Sequence, residues 1–293
     1  MKKHALDAQI AALDALRSAP ESVETLDHVR KALRDRNNFL VSKAAALAGD
    51  WHMPALVADL LAAFERFLAN AAKTDPQCWA KTAIVKALKD LAHRDADVYL
   101  KGIAHVQMEP VWGGQADSAA ALRGACALAL PDCRLDDLAL LTCLAGALAD
   151  AEKPVRVDAA LALSVTGVPE AAPLLRLKAL LGDADPEVTG QCLASLLSLA
   201  PADGVPFAVR FLGSKDDDLR MEAAAALAQS REPSALNALK TFWRERLPQH
   251  LRQAVLTFLA ASPQREAAEF LFSLGTEEAL AALKSSRYRD EFR

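Results

Sequence analysis

The sequence has few of the residues that build β-sheets. Aromatic residues make up 5% of the chain, and the apolar residues are mostly alanine and leucine. Alanine and leucine are strong helix formers, whereas β-branched and aromatic side chains favour strands. No segment alternates valine or isoleucine with polar residues over five positions, as a half-buried strand would. The composition therefore predicts an all-α protein.

Other features are also missing, and each absence argues against a class of protein. No apolar run approaches the roughly 20 residues that span a bilayer, and the N-terminal residues lack the apolar segment of a signal peptide. The five cysteines are odd in number and form no Cys-x-x-Cys pair, so we expect buried free thiols. A net charge of −4 provides no broad positive field for nucleic acid. Together these observations favour a cytoplasmic protein.

A nine-residue phrase recurs along the chain. Residues 155–163 read Val-Arg-Val-Asp-Ala-Ala-Leu-Ala-Leu, and residues 219–227 read Leu-Arg-Met-Glu-Ala-Ala-Ala-Ala-Leu. Weaker copies begin at Leu40, Trp79, Leu122, Val188 and Leu251. The seven starts are separated by 39, 43, 33, 33, 31 and 32 residues. A helical phrase at this spacing indicates an α-solenoid, in which each helix pair buries its apolar face against its neighbours.

Proline, glycine and aspartate punctuate the chain at the expected helix boundaries. The predicted pairs occupy about 22–36 and 38–48, 53–70 and 75–93, 95–108 and 117–130, 134–149 and 153–166, 169–182 and 186–199, 201–213 and 216–228, and 233–246 and 248–261. We predict a single domain over 1–293, with a cap helix at 1–21, repeats at 22–261, and a helical cap and tail at 262–293. The predicted fold is an all-α solenoid of about seven helix pairs.

Positions zero, four and eight of the phrase lie on one face of a helix, so we expect them to form a buried stripe. Trp79 belongs to this stripe as position zero of the second copy. Position one is arginine in four copies: Arg123, Arg156, Arg220 and Arg252. The other three copies have Val41, Ala80 and Thr189 there.

The phrase Val-Arg-x-x-Ala-Ala-x-Ala-Leu, preceded by an aspartate in the turn, forms a pattern that resembles HEAT repeats. This includes the short bacterial type found in phycobilin lyase subunits. The resemblance covers about 22–261. It implies a right-handed solenoid, and a ladder in which Arg156 and Arg220, and also Arg123 and Arg252, tie neighbouring repeats together through aspartates. It implies no particular activity, because one fold hosts many unrelated functions.

Catalytic motifs are not recognisable in the sequence. HEAT-type iron hydroxylases carry His-Glu dipeptides as metal ligands, but none of the six histidines here is followed by glutamate. The chain has no phosphate loop or nucleophile elbow, and no motif specifies a bilin site. We therefore predict that the protein is not an enzyme and uses no cofactor or metal.

HEAT-like alkylpurine DNA glycosylases provide the main alternative, since they combine tryptophans with a basic groove. A cluster of cations in the second and third repeats could contact phosphates. Its members are Lys73, Lys81, Lys86, Lys89, Arg94 and Lys101. Four aspartates, Asp75, Asp90, Asp95 and Asp97, are interleaved with these cations and oppose nucleic-acid binding.

The function that we predict is protein–protein binding or scaffolding on the concave face of the solenoid. The predicted contact residues are Lys43, Lys81, Lys86, Lys89, Trp112, Asp158, Gln191 and Glu222. Trp112 belongs to an insertion at 109–117, within the longest gap between copies, where Pro110 and two glycines exclude a helix. This insertion is either a functional loop or a neutral one whose tryptophan covers the core.

Overall fold

The computed structural model describes residues 10–13, 15 and 22–292. The predicted cap helix at 1–21 lies mostly outside the described residues. Contacts divide the chain into two compact units, Met1–Ala162 and Leu163–Arg293, with the boundary inside a helix. The single domain over 1–293 stays a prediction.

The first unit contains four helix pairs and one short hairpin. Its elements are α1 (Val23–Leu33), α2 (Asn38–Asp50), α3 (Val57–Leu68), α4 (Ala71–Thr74), α5 (Trp79–Asp90), α6 (Asp97–Ile103), β1 (Met108–Val111), β2 (Gly114–Asp117), α7 (Ala120–Ala129), α8 (Asp137–Leu148) and α9 (Lys153–Val165), which crosses the boundary. The second helices of successive pairs stack, α2 on α5 and α5 on α7, while α1 and α3 cover them from one side. The hairpin contradicts the expectation that the chain forms no strand.

The second unit continues the same arrangement. Its helices are α10 (Ala171–Leu181), α11 (Pro186–Leu199), α12 (Pro201–Val209), α13 (Asp217–Gln229), α14 (Pro233–Arg244), α15 (Gln249–Ala261), α16 (Arg265–Leu274) and α17 (Glu277–Leu283). Here α11 packs on α13 and α13 on α15, and α12 packs on α14. The predicted all-α class and the helix-pair repeat of a solenoid are confirmed.

The predicted stripe of the phrase is buried, except that it is shifted in the second copy and that Leu219 is half-buried. Position eight is buried in every copy: Ala48, Ala87, Leu130, Leu163, Leu196, Leu227 and Leu259. Trp79, however, is 50% exposed, whereas Ala80, Ile84 and Leu88 are completely buried. The buried stripe of the second copy therefore begins at Ala80, one residue later than the pattern predicts, although the helix itself begins at Trp79 after a tight turn at Pro76–Cys78.

The end of α2 is a Schellman cap with a strained residue. The backbone N–H of Met53 donates to Ala48 O and that of His52 donates to Gly49 O, while His52 has a φ of 49°. This left-handed position favours glycine, since a β-carbon there is crowded.

We expect His52→Gly to raise the free energy of unfolding by about 0.5–1 kcal/mol, because it relieves that crowding. Urea unfolding measures the change. Ala46→Gly, at an exposed interior position of the same helix, is the matched control and should lower stability by about 0.5–1 kcal/mol. Equal effects of the two substitutions would contradict the assignment of the cap.

Within the described ranges, no helix is long and apolar enough to cross a membrane. Three of the cysteines, Cys78, Cys126 and Cys192, are buried, and the other two are half-buried. Burial raises the pKa of the Cys78 thiol to about 11, so this thiol is protonated at neutral pH.

Candidate partner-binding hairpin

The insertion at 109–117 forms an antiparallel β-hairpin. Met108 pairs with Asp117, Glu109 with Ala116 and Val111 with Gly114, which leaves Trp112 and Gly113 in the turn. Gly113 has a φ of 87°, a conformation that the turn requires and that glycine adopts without strain. A two-residue turn thus places the tryptophan at the tip of the hairpin.

Glu109 anchors the base of the hairpin. Its carboxylate accepts hydrogen bonds from Gln107 Nε2 at 2.6 Å, Ser118 Oγ at 2.6 Å and the backbone N–H of Gln77 at 2.8 Å. Burial alone would raise the pKa of Glu109, but these donors together with nearby Lys81 hold the pKa below its usual value. The carboxylate is therefore charged and ties the hairpin to the turn before α5.

Lys81 and Asp75 form a completely buried ion pair beneath this anchor. Both side chains are 0% exposed, and Lys81 Nζ lies 2.9 Å from Asp75 Oδ2. The Lys81 ammonium also donates to Gln107 Oε1 at 3.0 Å. Asp75 in turn accepts hydrogen bonds from the backbone N–H groups of Ala80 and Lys81, which caps the start of α5. Lys81 was predicted to contact a partner, but the structure places it in the core.

Arg123 joins the third helix pair to the fourth. Its guanidinium binds Asp150, in the turn between α8 and α9, through Nε at 2.7 Å and Nη2 at 2.9 Å. Arg123 Nη1 donates to Asp117 Oδ2 at 2.6 Å and to the carbonyl of His105 at 3.0 Å. Asp117 is the last residue of β2, so Arg123 fastens one end of the hairpin, while Glu109 fastens the other.

Arg156 donates to the backbone carbonyls of Asp150 and Ala151, in the turn that also holds the aspartate bound by Arg123. Two other predicted ladder arginines make different contacts. Arg220 pairs with Asp217 at 2.9 Å on its own helix and lies over the Phe242 ring, whereas Arg252 stacks on Trp243. The predicted bond from an arginine to an aspartate of a neighbouring repeat is seen at Arg123.

Sequence reasoning missed that Lys81 fills the ladder position of the second copy. With that copy started at Ala80, Lys81 is position one, where Arg123 and Arg156 stand in later copies. Each of these cations follows an aspartate by six residues: Asp75, Asp117 and Asp150. This Asp-x5-Lys/Arg spacing is the signal that identifies the buried pair.

The tip of the hairpin is the most exposed apolar feature described. Trp112 is 103% exposed, which is as open as in an extended peptide. Val106, Met108 and Val111, which are near Trp112 in the sequence, are exposed as well. Trp112 therefore does not cover the core, as the alternative interpretation of the insertion required.

The predicted contact residues on the second helices of the first unit differ in exposure. Lys43, Lys86 and Lys89 are exposed. Asp158 is half-buried and rests on Gly124, where a β-carbon would collide with its carboxylate. Burial raises the pKa of Asp158, and the charge of Lys86 partly offsets this effect.

The second unit repeats this contact with other residues. Glu222 is half-buried against Gly190, where a β-carbon would again collide with the carboxylate. Gln191 donates from Nε2 to Ser195 Oγ at 3.1 Å. A glycine at position two thus accommodates an acidic position three of the next repeat, both here and at Gly124.

We expect the protein to lose stability as the pH falls below about 5. The folded pKa values of Glu109, Asp117 and Asp150 lie below their ordinary values of about 4, so these carboxylates stabilise the fold above that pH. The stability is lost as the pH falls through the folded values, and Asp158, whose pKa is raised, contributes a change of opposite sign. Asp117→Asn should lower the free energy of unfolding by about 1–3 kcal/mol at pH 7 and flatten its pH dependence. Urea unfolding at a series of pH values from 7 to 3 measures both effects. If the free energy of unfolding changes with pH equally steeply in the wild type and in Asp117→Asn, the prediction is wrong.

Comparison with known proteins finds similarity in sequence and fold. A model of HEAT repeats matches residues 176–260, which confirms the resemblance there. A search of curated proteins gives no match. The CpcE–CpcF complex of phycocyanin lyase from Nostoc sp. PCC7120 is similar with a TM-score of 0.40 and 20% identity, covering 88% of this chain and 85% of that chain. Human deoxyhypusine hydroxylase in complex with glycerol is similar with a TM-score of 0.33 and 19% identity, covering 87% and 89%.

The prediction that the chain is not an enzyme is corrected by this comparison. Phycocyanin lyase and deoxyhypusine hydroxylase are enzymes, and both are among the similar structures.

Proposed function

We propose that this protein is a repeat module that binds another protein, and that the hairpin tip makes the central contact. The observation that carries the proposal is the full exposure of Trp112 on a hairpin whose two ends are held by buried carboxylates. Tryptophan is enriched among the residues that dominate binding energy in protein interfaces. The backbone of a fixed hairpin also loses little conformational entropy when it binds.

The partner that fits this tip is a protein with an apolar pocket of the size of an indole ring. Val106, Met108 and Val111, which are near Trp112 in the sequence, are further exposed apolar side chains. They are additional candidates for apolar contact with the partner, since contiguous exposed apolar surface marks interaction sites. The exposed Lys43, Lys86 and Lys89 and the half-buried Asp158 would then supply polar contacts on the neighbouring helices.

Nucleic-acid binding receives less support. Of the cations in the second and third repeats, Lys81 is buried with Asp75, and Lys101 pairs with Glu65 and Asp97 at 2.8 Å each. Trp79 packs edge-on against Phe39, with ring centroids 5.6 Å apart. The tryptophan and two of the cations are thus engaged with the protein itself.

Trp112→Ala should weaken partner binding at least tenfold, since losing a central tryptophan costs about 2 kcal/mol or more. The measurement is quantitative capture of proteins from the native lysate by the immobilised chain. Leu138→Ala removes another exposed apolar side chain, 76% exposed on α8, and should leave the captured set unchanged. Asp158→Lys tests the helix face separately. If Trp112→Ala captures the same proteins in the same amounts as the wild type, the hairpin is not the contact.

A further inference from the structure

Pro110 and Gln115, which lie opposite each other in the hairpin, direct their backbone groups outward. At the base of the hairpin, the backbone N–H of Ser118 donates to Gln107 O at 2.9 Å. In an antiparallel ladder such hydrogen-bonded pairs alternate with pairs whose N–H and C=O groups point away from the opposite strand. Pro110 and Gln115 form the third pair beyond that bond, so they belong to the outward set.

The outer edge of β1 is protected by its proline. Pro110 has no backbone N–H, so its outward position offers a carbonyl and no donor. Within sheets, proline is found on edge strands, and it is one of the devices that keep an edge from pairing with another chain. The hairpin thus has one edge that resists the addition of a strand.

The outer edge of β2 has no such protection. Gly114, Gln115 and Ala116 are exposed, and none of them carries a charge. A β-carbon at Gly114 would meet nothing within 4 Å, so the space beside this residue is open. Within the part of the chain that the structure describes, the Gln115 backbone forms no hydrogen bond with another segment. Asp117, the next outward residue, is half-buried and bound to Arg123, so Gln115 is the accessible centre of the edge.

We propose that the partner protein adds an extended strand to the outer edge of β2 and forms hydrogen bonds with the backbone of Gln115. An exposed strand edge is complementary to another extended backbone, because N–H and C=O groups recur along both at the same spacing. The small side chains of Gly114 and Ala116 leave room for those of the added strand. This inference rests on the proposed function, since the same partner contacts Trp112 at the tip while its strand pairs with β2.

Gln115→Pro removes the outward N–H and should keep the hairpin, because a proline already occupies the opposite position. Capture of proteins from the native lysate should weaken about tenfold, since a backbone hydrogen bond is lost in the complex. Gln115→Ala is the matched control: it removes the side chain, keeps the N–H and should capture the same proteins in the same amounts as the wild type. Equal losses in the two variants would overturn the proposal, because the side chain would then make the contact.

Hydrogen exchange of the wild-type chain tests the proposal without a substitution. The Gln115 amide should exchange freely in the isolated protein and become protected in the captured complex, as measured by mass spectrometry of fragments that cover β2. Unchanged exchange of this amide in the complex would overturn the proposal. Protection that appears in the isolated chain as its concentration rises would also overturn it, because the added strand would then come from a second copy.

Trp112→Ala, assayed beside Gln115→Pro, separates this inference from the proposed function. Weaker capture by Trp112→Ala together with normal capture by Gln115→Pro would overturn strand addition and leave the binding role of the tip intact. The opposite result would support strand addition and remove Trp112 from the contact. If neither variant changes the capture, or if the wild type captures nothing, this inference and the proposed function are both wrong.

Discussion

Lys81→Met is expected to lower the free energy of unfolding by about 3–5 kcal/mol. The substitution removes the cation from a site where Lys81 and Asp75 are both 0% exposed, and it leaves Asp75 as an uncompensated buried charge. Glu109 would also lose a neighbouring positive charge. Urea unfolding at pH 7, followed by circular dichroism, measures the loss.

Two controls distinguish the loss of this buried ion pair from the effect of removing any lysine from the helix. Lys86→Met changes an exposed lysine of the same helix and should alter stability by no more than about 0.5 kcal/mol. The double variant Lys81→Met with Asp75→Asn should be more stable than the sum of the two single losses predicts, because both charges are gone. A loss below about 1 kcal/mol for Lys81→Met would show that the pair is hydrated.

Ala159→Asp should cost more than about 3 kcal/mol, or prevent folding, because it places an unpaired carboxylate in the core. Ala159 is completely buried at position four of the best-preserved copy of the phrase. Ala46→Asp introduces the same charge at an exposed position of α2 and should cost about 1 kcal/mol or less. Thermal melting compares the two variants. A melting temperature near that of the wild type for Ala159→Asp would mean that the stripe is misplaced.

The helix pairs were predictable because apolar residues at four-residue intervals lie on one side of a helix. That side is buried when the helix packs against its neighbours. Trp79 shows where this argument fails. A large apolar side chain at the expected spacing looks like a core residue, but Asp75 caps α5 and fixes where the helix begins. Two stripes in this helix satisfy the four-residue spacing, one beginning at Trp79 and one at Ala80, and hydrophobic periodicity alone does not choose between them.

The hairpin was not predictable from its own residues. Pro110 lies in β1, and the insertion does not alternate apolar and polar residues as a strand does. Its stability comes from contacts such as Glu109 to Gln77, which lie 32 residues apart in the chain. Local propensity carries no information about such a contact. Trp112 was nevertheless predicted as a contact residue, because the insertion marks where the repeat is interrupted.

The anchoring of the hairpin makes its tip a natural attachment point for foreign sequence. A β-carbon at Gly113 or Gly114 would meet nothing within 4 Å, while the carboxylates that hold the hairpin lie at Glu109 and Asp117. A peptide epitope or a short fluorescent tag could therefore replace the turn and leave both fastenings intact.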